Sequence, residues 1–206
     1  MYNLPTEPRK IKERIRRYER AFAKELRQSG MISDGSGKRY LLAPLYLMLK
    51  DVEGAYKYFE WFEKTFPDDV GEPLQYLCWT ITLLRKDDIN AASNKLIETM
   101  LKNLYLIPHV LGLNPERLDI WHGSNYEDIE YLSYLPPVAM KLCTEEELGW
   151  INRQYNSKKF TVIRERYINI HLQLKTEPRG PKRTELVEQA YRLENLDFSG
   201  LDLGEF

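Results

Sequence analysis

Residues 41–69, LLAPLYLMLKDVEGAYKYFEWFEKTFPDD, carry the clearest helical pattern of this 206-residue chain. Apolar residues recur there at steps of three and four, the period of an amphipathic α-helix. The pattern breaks at Asp51 and ends at Pro67, because proline cannot continue a helix. It therefore predicts an all-α fold that begins with a helical hairpin, with helices over residues 39–50 and 52–66.

A second pair of helical patterns follows, LCWTITLLRK and DINAASNKLIETMLKNL. Three apolar positions of the first pair recur 37 residues later: Val52, Ala55 and Phe59 as Ile89, Ala92 and Leu96. Asp51 and Asp88 also match, and each can cap the helix that follows by accepting a backbone N–H bond. Self-similarity of this kind predicts repeat architecture, with two hairpins over residues 39–104.

The first hairpin resembles a tetratricopeptide repeat, which sets small residues, aromatic residues and a closing proline at fixed steps. The residues that fit are Ala43, Tyr46, Ala55, Phe59 and Pro67. The second hairpin fits more loosely, through Thr80, Leu83, Ala92 and Leu96, with Leu104 in the place of the proline. The segment that follows, NLYLIPHVLG (residues 103–112) with Trp121 and Gly123 beyond it, resembles the segment after such repeats in uncharacterised bacterial helical-repeat proteins and, more faintly, proteins of the suppressor-of-tumorigenicity type. The resemblance implies a right-handed stack of antiparallel helices with a groove, and it implies no catalytic residue.

Further segments complete a predicted single domain over residues 1–206. An apolar stripe with basic faces predicts an N-terminal helix over residues 8–28, and residues 125–195 read as C-terminal helices. Repeat units need neighbours to bury their faces, so these helices are expected to cap the stack. Residues 158–174 are rich in β-branched residues, which leaves a strand open there. The tail, residues 197–206, is acidic.

Shorter signals divide the C-terminal region. Helical pieces are predicted over residues 125–135, before two prolines, and over residues 138–143. Thr144 and Glu147 have the spacing of a capping box. The last helix is predicted over residues 182–195, and residues 108–125 form a long loop that is expected to pack on the stack.

Composition favours a globular protein of the cytoplasm. The formal net charge is −1, so the chain is not globally basic, and no apolar run approaches the roughly 18 residues that span a membrane. Cys78 and Cys143 lie in apolar helical patterns and are expected to be free thiols. GSGK, residues 35–38, lacks the first glycine and the final Ser or Thr of a phosphate-binding loop.

The leading functional hypothesis is a non-enzymatic scaffold that binds an unknown protein or peptide. In the geometry that the resemblance implies, the first helix of each hairpin lines the groove, which points to Tyr40, Pro44, Met48, Ile81 and Arg85. An internal helix of the chain could instead fill that groove. Tyr58 and Trp61 are further candidates for partner contact, with burial under flanking helices as the alternative.

The alternative hypothesis is binding of nucleic acid or another acidic surface through the N-terminal helix. The candidate side chains are Arg9, Lys10, Lys12, Arg16, Arg17 and Arg20. Nine basic residues between positions 9 and 27 could neutralise several phosphates. Glu13, Glu19 and Glu25 interrupt them, so the helix can also pair its own charges or dock on its own fold.

An enzyme is the weakest hypothesis. The common catalytic motifs are missing, the three histidines lack metal-ligand spacing, and no cofactor or metal is expected. His122 and Asp119, in a loop that carries Trp121, are the one pair that could form a small functional corner.

Overall fold

The chain is all-helical in residues 4–198, which a computed structural model describes, and no strand occurs among them. The α-helices in chain order are α1 (Pro8–Ser29), α2 (Lys38–Met48), α3 (Val52–Thr65), α4 (Pro73–Arg85), α5 (Ile89–Lys102), α6 (Leu106–Val110), α7 (Glu145–Tyr155), α8 (Lys158–Thr176) and α9 (Pro181–Glu194). The 3₁₀-helices Ile129–Tyr134 and Pro137–Lys141 lie between α6 and α7. The all-α prediction is confirmed, and the strand alternative for residues 158–174 is wrong because they form most of α8.

The two hairpins repeat each other in backbone detail. Helices α3 and α5 have 14 residues each and begin 37 residues apart. The turn before each contains a left-handed residue, Lys50 at φ 57° and Asp87 at φ 58°. The next residue, Asp51 or Asp88, caps its helix by accepting a bond from the N–H three residues on, at 2.9 Å and 3.1 Å. The predicted caps are confirmed, and the fold is helical-repeat-like.

Helix α2 differs from its prediction at its C-terminal end. It stops at Met48 rather than at residue 50, because the left-handed backbone of Lys50 cannot continue a right-handed helix. The helix begins at Lys38, so Pro44 lies inside it and does not mark its start.

Adjacent helices pack on one another along the chain. Helix α2 contacts α1, α3 and α4; α4 contacts α5; and α5 contacts α8, which contacts α9. The small residues Ala43, Ala55 and Ala92 are fully buried, which lets helix axes approach closely. Phe59 of α3 stacks on Trp79 of α4 with ring centroids 4.6 Å apart, and this contact joins the first hairpin to the second.

Helices at both ends cover the apolar faces of the hairpins. At the N-terminal end, α1 buries Ile11, Ile15, Tyr18 and Phe22, a stripe at helical spacing. At the other end α8 buries Phe160, Ile163, Tyr167, Ile170 and Leu174. One contiguous apolar cluster includes these side chains and those of the hairpins.

The region between α6 and α7 is less helical than its sequence predicts. Residues 125–128 form turns, and the first 3₁₀-helix begins only at Ile129, because the Asp128 carboxylate accepts the Glu130 N–H at 2.8 Å and starts the helix there. The helix predicted over residues 138–143 is also a short 3₁₀-helix, since prolines precede it and the cap of α7 follows it.

Two local predictions for the C-terminal half are confirmed. The capping box at the start of α7 has both bonds, from the Glu147 N–H to Thr144 and from the Thr144 N–H to the Glu147 carboxylate. Cys78 and Cys143 are free thiols. Most of the acidic tail lies outside residues 4–198; at its start, Phe198 is buried and its carbonyl accepts a bond from Lys159 at 2.5 Å.

Candidate functional site

The residues predicted to line a groove are mostly inside the protein. Tyr40 and Pro44 are buried, Ile81 has no exposed surface, and Met48 is half-buried. The Tyr40 hydroxyl donates to Asp69 at 2.6 Å. Tyr40 and Ile81 belong to the apolar core and Met48 packs against it, so a partner could reach Ile81 only by displacing neighbouring helices.

Arg85, the fifth predicted residue, is held by the C-terminal part of the chain. Its guanidinium donates to both carboxylate oxygens of Glu147, at 2.7 Å and 3.1 Å, and to the carbonyl of Leu142 at 2.9 Å. At this point the chain itself fills the predicted groove. The five residues therefore do not form one open surface.

An open apolar groove lies between α1, α2 and α3, with a volume of about 420 Å³. Its main apolar lining is Phe22, Leu26, Ile32, Leu42, Tyr46 and Trp61. Of these, Leu26 is 49% exposed, and Trp61 is half-buried. The groove volume lies in the range of pockets that enclose small ligands, roughly 300–1,000 Å³.

Aromatic contacts fix the wall that α3 contributes to this groove. The Trp61 ring lies 5.3 Å from Phe22 of α1 and meets Phe66 edge-on at 5.6 Å, centroid to centroid. Tyr58, the other aromatic residue that the sequence suggested for partner contact, is buried, and its hydroxyl donates to the carbonyl of Arg39 at 2.7 Å. Trp61 therefore stays a candidate, while Tyr58 supports the wall from inside.

Tyr46 closes the side of the groove towards α2. Its hydroxyl donates to Glu19 of α1 at 2.5 Å, and burial together with this carboxylate raises the pKa of the tyrosine. Its ring lies against Gly54 of α3 so closely that a Cβ there would stand 2.6 Å from ring carbons. The groove walls are thus tied to one another before any ligand enters.

The six cationic side chains of the nucleic-acid hypothesis all lie on the exposed surface of α1. Two of them pair along the helix, Arg9 with Glu13 at 3.0 Å and Lys10 with Glu7 at 2.6 Å. Arg17 lies over the ring of Tyr18 at 5.4 Å. The helix thus presents a basic surface beside the apolar groove. The sequence analysis did not predict that α1 lines a groove.

A larger hollow of about 640 Å³ lies beside the first 3₁₀-helix and holds the histidine of the enzyme hypothesis. Its charged lining is largely paired, since Arg117 donates to Asp128 and Glu130. His122 lies 3.3 Å from the Tyr105 hydroxyl, whereas Asp119 pairs with Lys175 of α8. The structure gives His122 and Asp119 separate partners.

A second histidine, which the sequence did not single out, is buried nearby. His171 Nδ1 lies 2.9 Å from the Trp121 carbonyl, while its Nε2 has no partner; burial lowers the pKa of this imidazole. His122 lines the same narrow space. Even so, residues 4–198 contain no group of three or more His, Cys, Asp or Glu that could hold a metal ion.

Glu72 is a second buried titratable group that the sequence left unnoticed. It caps α4 by accepting the Gln75 N–H at 2.9 Å, and it accepts a bond from the hydroxyl of Tyr131. Burial raises the pKa of this carboxyl to about 7. Glu72 is the N-cap of α4 and belongs to no apolar stripe, so helical periodicity could not reveal that it is buried.

Comparison with protein-family descriptions, with curated proteins and with solved structures finds no match to this chain. Within residues 4–198, no helix has both the length and the apolar character needed to cross a lipid bilayer.

Proposed function

We propose that this protein is a non-enzymatic interaction module of the cytoplasm, a short right-handed stack of tetratricopeptide-like hairpins that binds a protein or peptide partner. The repeated turns at Lys50 and Asp87 support the repeat assignment. The buried positions of Ala43, Ala55 and Phe59 agree with the slots of that repeat.

The observation that carries the proposal is the open groove between α1, α2 and α3. Leu26 is 49% exposed at its edge, and Trp61 lies half-buried in its wall. Burying an exposed leucine and the remaining face of a tryptophan is a favourable contribution to binding, and tryptophan is enriched at the centres of interfaces. Helical walls tied by aromatic contacts need little reorganisation when a ligand binds.

Selection from a random peptide display library against the whole chain tests this function. Peptides that bind the groove should be enriched, and Leu26→Ser should weaken their binding about fivefold or more, because the mutation removes apolar area from the contact. Val187→Ser is the matched control, since Val187 of α9 is 44% exposed and lies on another helix.

Titration of the selected peptides into both variants measures their affinities and shows whether the peptides bind in the groove. Equal loss of affinity in Leu26→Ser and Val187→Ser, or no enrichment over an unrelated protein, would reject the groove as a binding site. Thermal unfolding of both variants checks that folding is intact.

Nucleic-acid binding through α1 is the second candidate function. It is favoured by the exposure of the six cationic side chains that the sequence analysis assigned to it. Phosphate contacts are strongest at low salt, so an affinity for DNA or RNA should be measurable at about 50 mM salt and should fall steeply with added salt. Fluorescence anisotropy with labelled oligonucleotides measures this. Undetectable binding at the low salt concentration would end this hypothesis.

A further inference from the structure

A row of basic side chains runs along α1 beside the groove. Successive residues lie about 100° apart around an α-helix, so Lys12, Arg16 and Arg27 fall within about 40° of Ala23. Ala23 is part of the groove lining, and the three cationic side chains are exposed. The row extends for about 22 Å, because the helix rises 1.5 Å per residue.

The opposite wall adds another positive charge. Lys57 of α3 is exposed and lines the groove. The lining also contains one carboxylate, Glu19, which accepts a bond from Tyr46. Lys57 and Glu19 balance each other within the lining, so the excess of positive charge at the groove comes from the exposed Lys12, Arg16 and Arg27 along α1.

We propose that the partner segment is an acidic peptide with apolar side chains, whose carboxylates meet Lys12, Arg16, Arg27 and Lys57 while its apolar side chains enter the groove. The assignment rests on the proposed function and names the chemistry of its ligand. Opposite charges at the rim steer the ligand and select it, and the apolar contact contributes most of the affinity.

The apolar centre of the site favours a peptide over a nucleic acid. The phosphate backbone of a nucleic acid is charged at every nucleotide, so the backbone gains no apolar contact with Phe22, Leu26 and Trp61, and only its bases could stack on the aromatic rings. An acidic peptide satisfies both parts of the surface, because apolar and acidic side chains can alternate along it.

Four labelled probes test the assignment with the whole chain by fluorescence anisotropy. The first is a peptide of about 12 residues in which Asp and Glu alternate with Leu and Phe. The second has lysine in place of every acidic residue, and the third has serine in place of every apolar residue. The fourth is single-stranded DNA. We expect the first probe to bind at least about tenfold more tightly than each of the others at about 50 mM salt, and to weaken as salt screens the rim charges.

Charge reversal on α1 locates the contact. The double variant Arg16→Glu and Arg27→Glu should weaken the acidic probe at least about fivefold and improve the lysine probe. The matched control, Arg17→Glu and Lys24→Glu, changes the same net charge on the same helix, but its residues lie about 100–120° from Ala23. It should alter either affinity less than about twofold.

The outcomes separate this assignment from the proposed function. Tighter binding of the lysine probe than of the acidic probe, with loss on Leu26→Ser, would overturn the acidic partner and leave the groove as a peptide site. Equal effects of the two charge reversals, tighter binding of DNA, or no binding of the acidic probe would also overturn the assignment. A concentration-dependent dimer in sedimentation, abolished by Leu26→Ser, would instead assign the groove to a second copy.

Discussion

At the scale of single residues, the ring of Tyr46 leaves no room for a side chain at Gly54. A Cβ on Gly54 would stand 2.6 Å from two carbons of the Tyr46 ring. The corresponding positions 37 residues later are Ala91 and Leu83, so a narrower leucine replaces the ring where the glycine becomes alanine. The glycine thus belongs to the close approach of α2 and α3 beside the groove.

Alanine substitutions at two glycines should change stability in opposite directions. In the interior of a helix, alanine is more favourable than glycine by about 1 kcal/mol. At Gly149 of α7 the nearest neighbour of a new Cβ is Arg153 at 3.6 Å, so Gly149→Ala should raise the free energy of unfolding by about 0.5–1 kcal/mol. At Gly54 the clash with Tyr46 should outweigh that gain and lower the free energy by about 1–3 kcal/mol.

Urea unfolding followed by circular dichroism measures both values. A stabilising Gly54→Ala would mean that the Tyr46 ring can move away at little cost, and that the ring does not hold α2 and α3 in place. The double variant Gly54→Ala and Tyr46→Leu, which copies the second hairpin, should recover most of the loss.

At the scale of helices, one ion pair docks α7 on α4. Glu147 accepts the Thr144 N–H in the capping box and both bonds from Arg85, and its side chain is only 11% exposed. Burial opposes its charge, but the bonds from Arg85 and Thr144 outweigh burial and lower the pKa of this carboxyl. Bonds from Arg85 thus hold α7 at one end of the predicted groove, which agrees with the alternative that the chain itself fills the groove there.

Replacing only one residue of the Arg85–Glu147 pair should therefore cost more free energy of unfolding than replacing both. Arg85→Met leaves a nearly buried carboxylate without its cation and should lower the free energy of unfolding by about 2–4 kcal/mol at neutral pH. The double variant Arg85→Met and Glu147→Gln should recover at least about 1 kcal/mol of that loss. Since the pKa of Glu147 is lowered on folding, the pair stabilises above the ordinary carboxyl pKa, and this contribution is lost on acidification.

A double-mutant cycle in urea at neutral pH and at about pH 3 checks this. Additive losses at neutral pH would mean that the two side chains act independently and that other contacts dock α7. The coupling energy should shrink at the lower pH.

At the scale of the whole molecule, Glu72 links the hairpins to the C-terminal region. It lies at the start of α4, and Tyr131 of the first 3₁₀-helix donates to it. The groups that bind its carboxylate, the Gln75 N–H and the Tyr131 hydroxyl, are neutral donors. Burial outweighs these bonds, so ionising this carboxyl costs free energy in the folded state.

The stability of the whole chain should depend on pH through this residue. Folding raises the pKa of Glu72 from an ordinary 4.5 to about 7. Between these values the folded protein keeps a proton that the unfolded chain has released, so rising pH favours unfolding. From pH 5 to pH 8 the wild type should lose about 2–3 kcal/mol more unfolding free energy than Glu72→Gln, since one pKa unit corresponds to about 1.4 kcal/mol.

Urea unfolding at several pH values measures the two slopes. The matched control is Glu146→Gln, because Glu146 is exposed on α7 and should leave the wild-type slope unchanged. Parallel curves for the wild type and Glu72→Gln would show that the Glu72 carboxyl titrates normally.

Sequence periodicity was sufficient for the helices that carry strong stripes. The stripe of α1, the turns before Asp51 and Asp88, and the capping box at Thr144 depend on residues close in the chain, so local rules predict them. Periodicity failed over residues 125–143, where an early cap at Asp128 and prolines shorten the helices. For the site it indicated Trp61 but missed Leu26, because the exposure of a residue on an apolar stripe depends on what packs beside it.

Local sequence patterns were enough to predict the all-helical class, the 37-residue repeat of turns and caps, and the basic character of α1, because each depends on neighbouring residues along the chain. Which apolar surface stays open depends on how distant parts of the chain pack together. Contacts between residues far apart in the chain, such as Arg85 with Glu147 and Phe59 with Trp79, bury helix faces whose exposure the repeat pattern does not predict. The packing of α1 against the first hairpin leaves the groove at Leu26 and Trp61 exposed, and no local pattern records that arrangement.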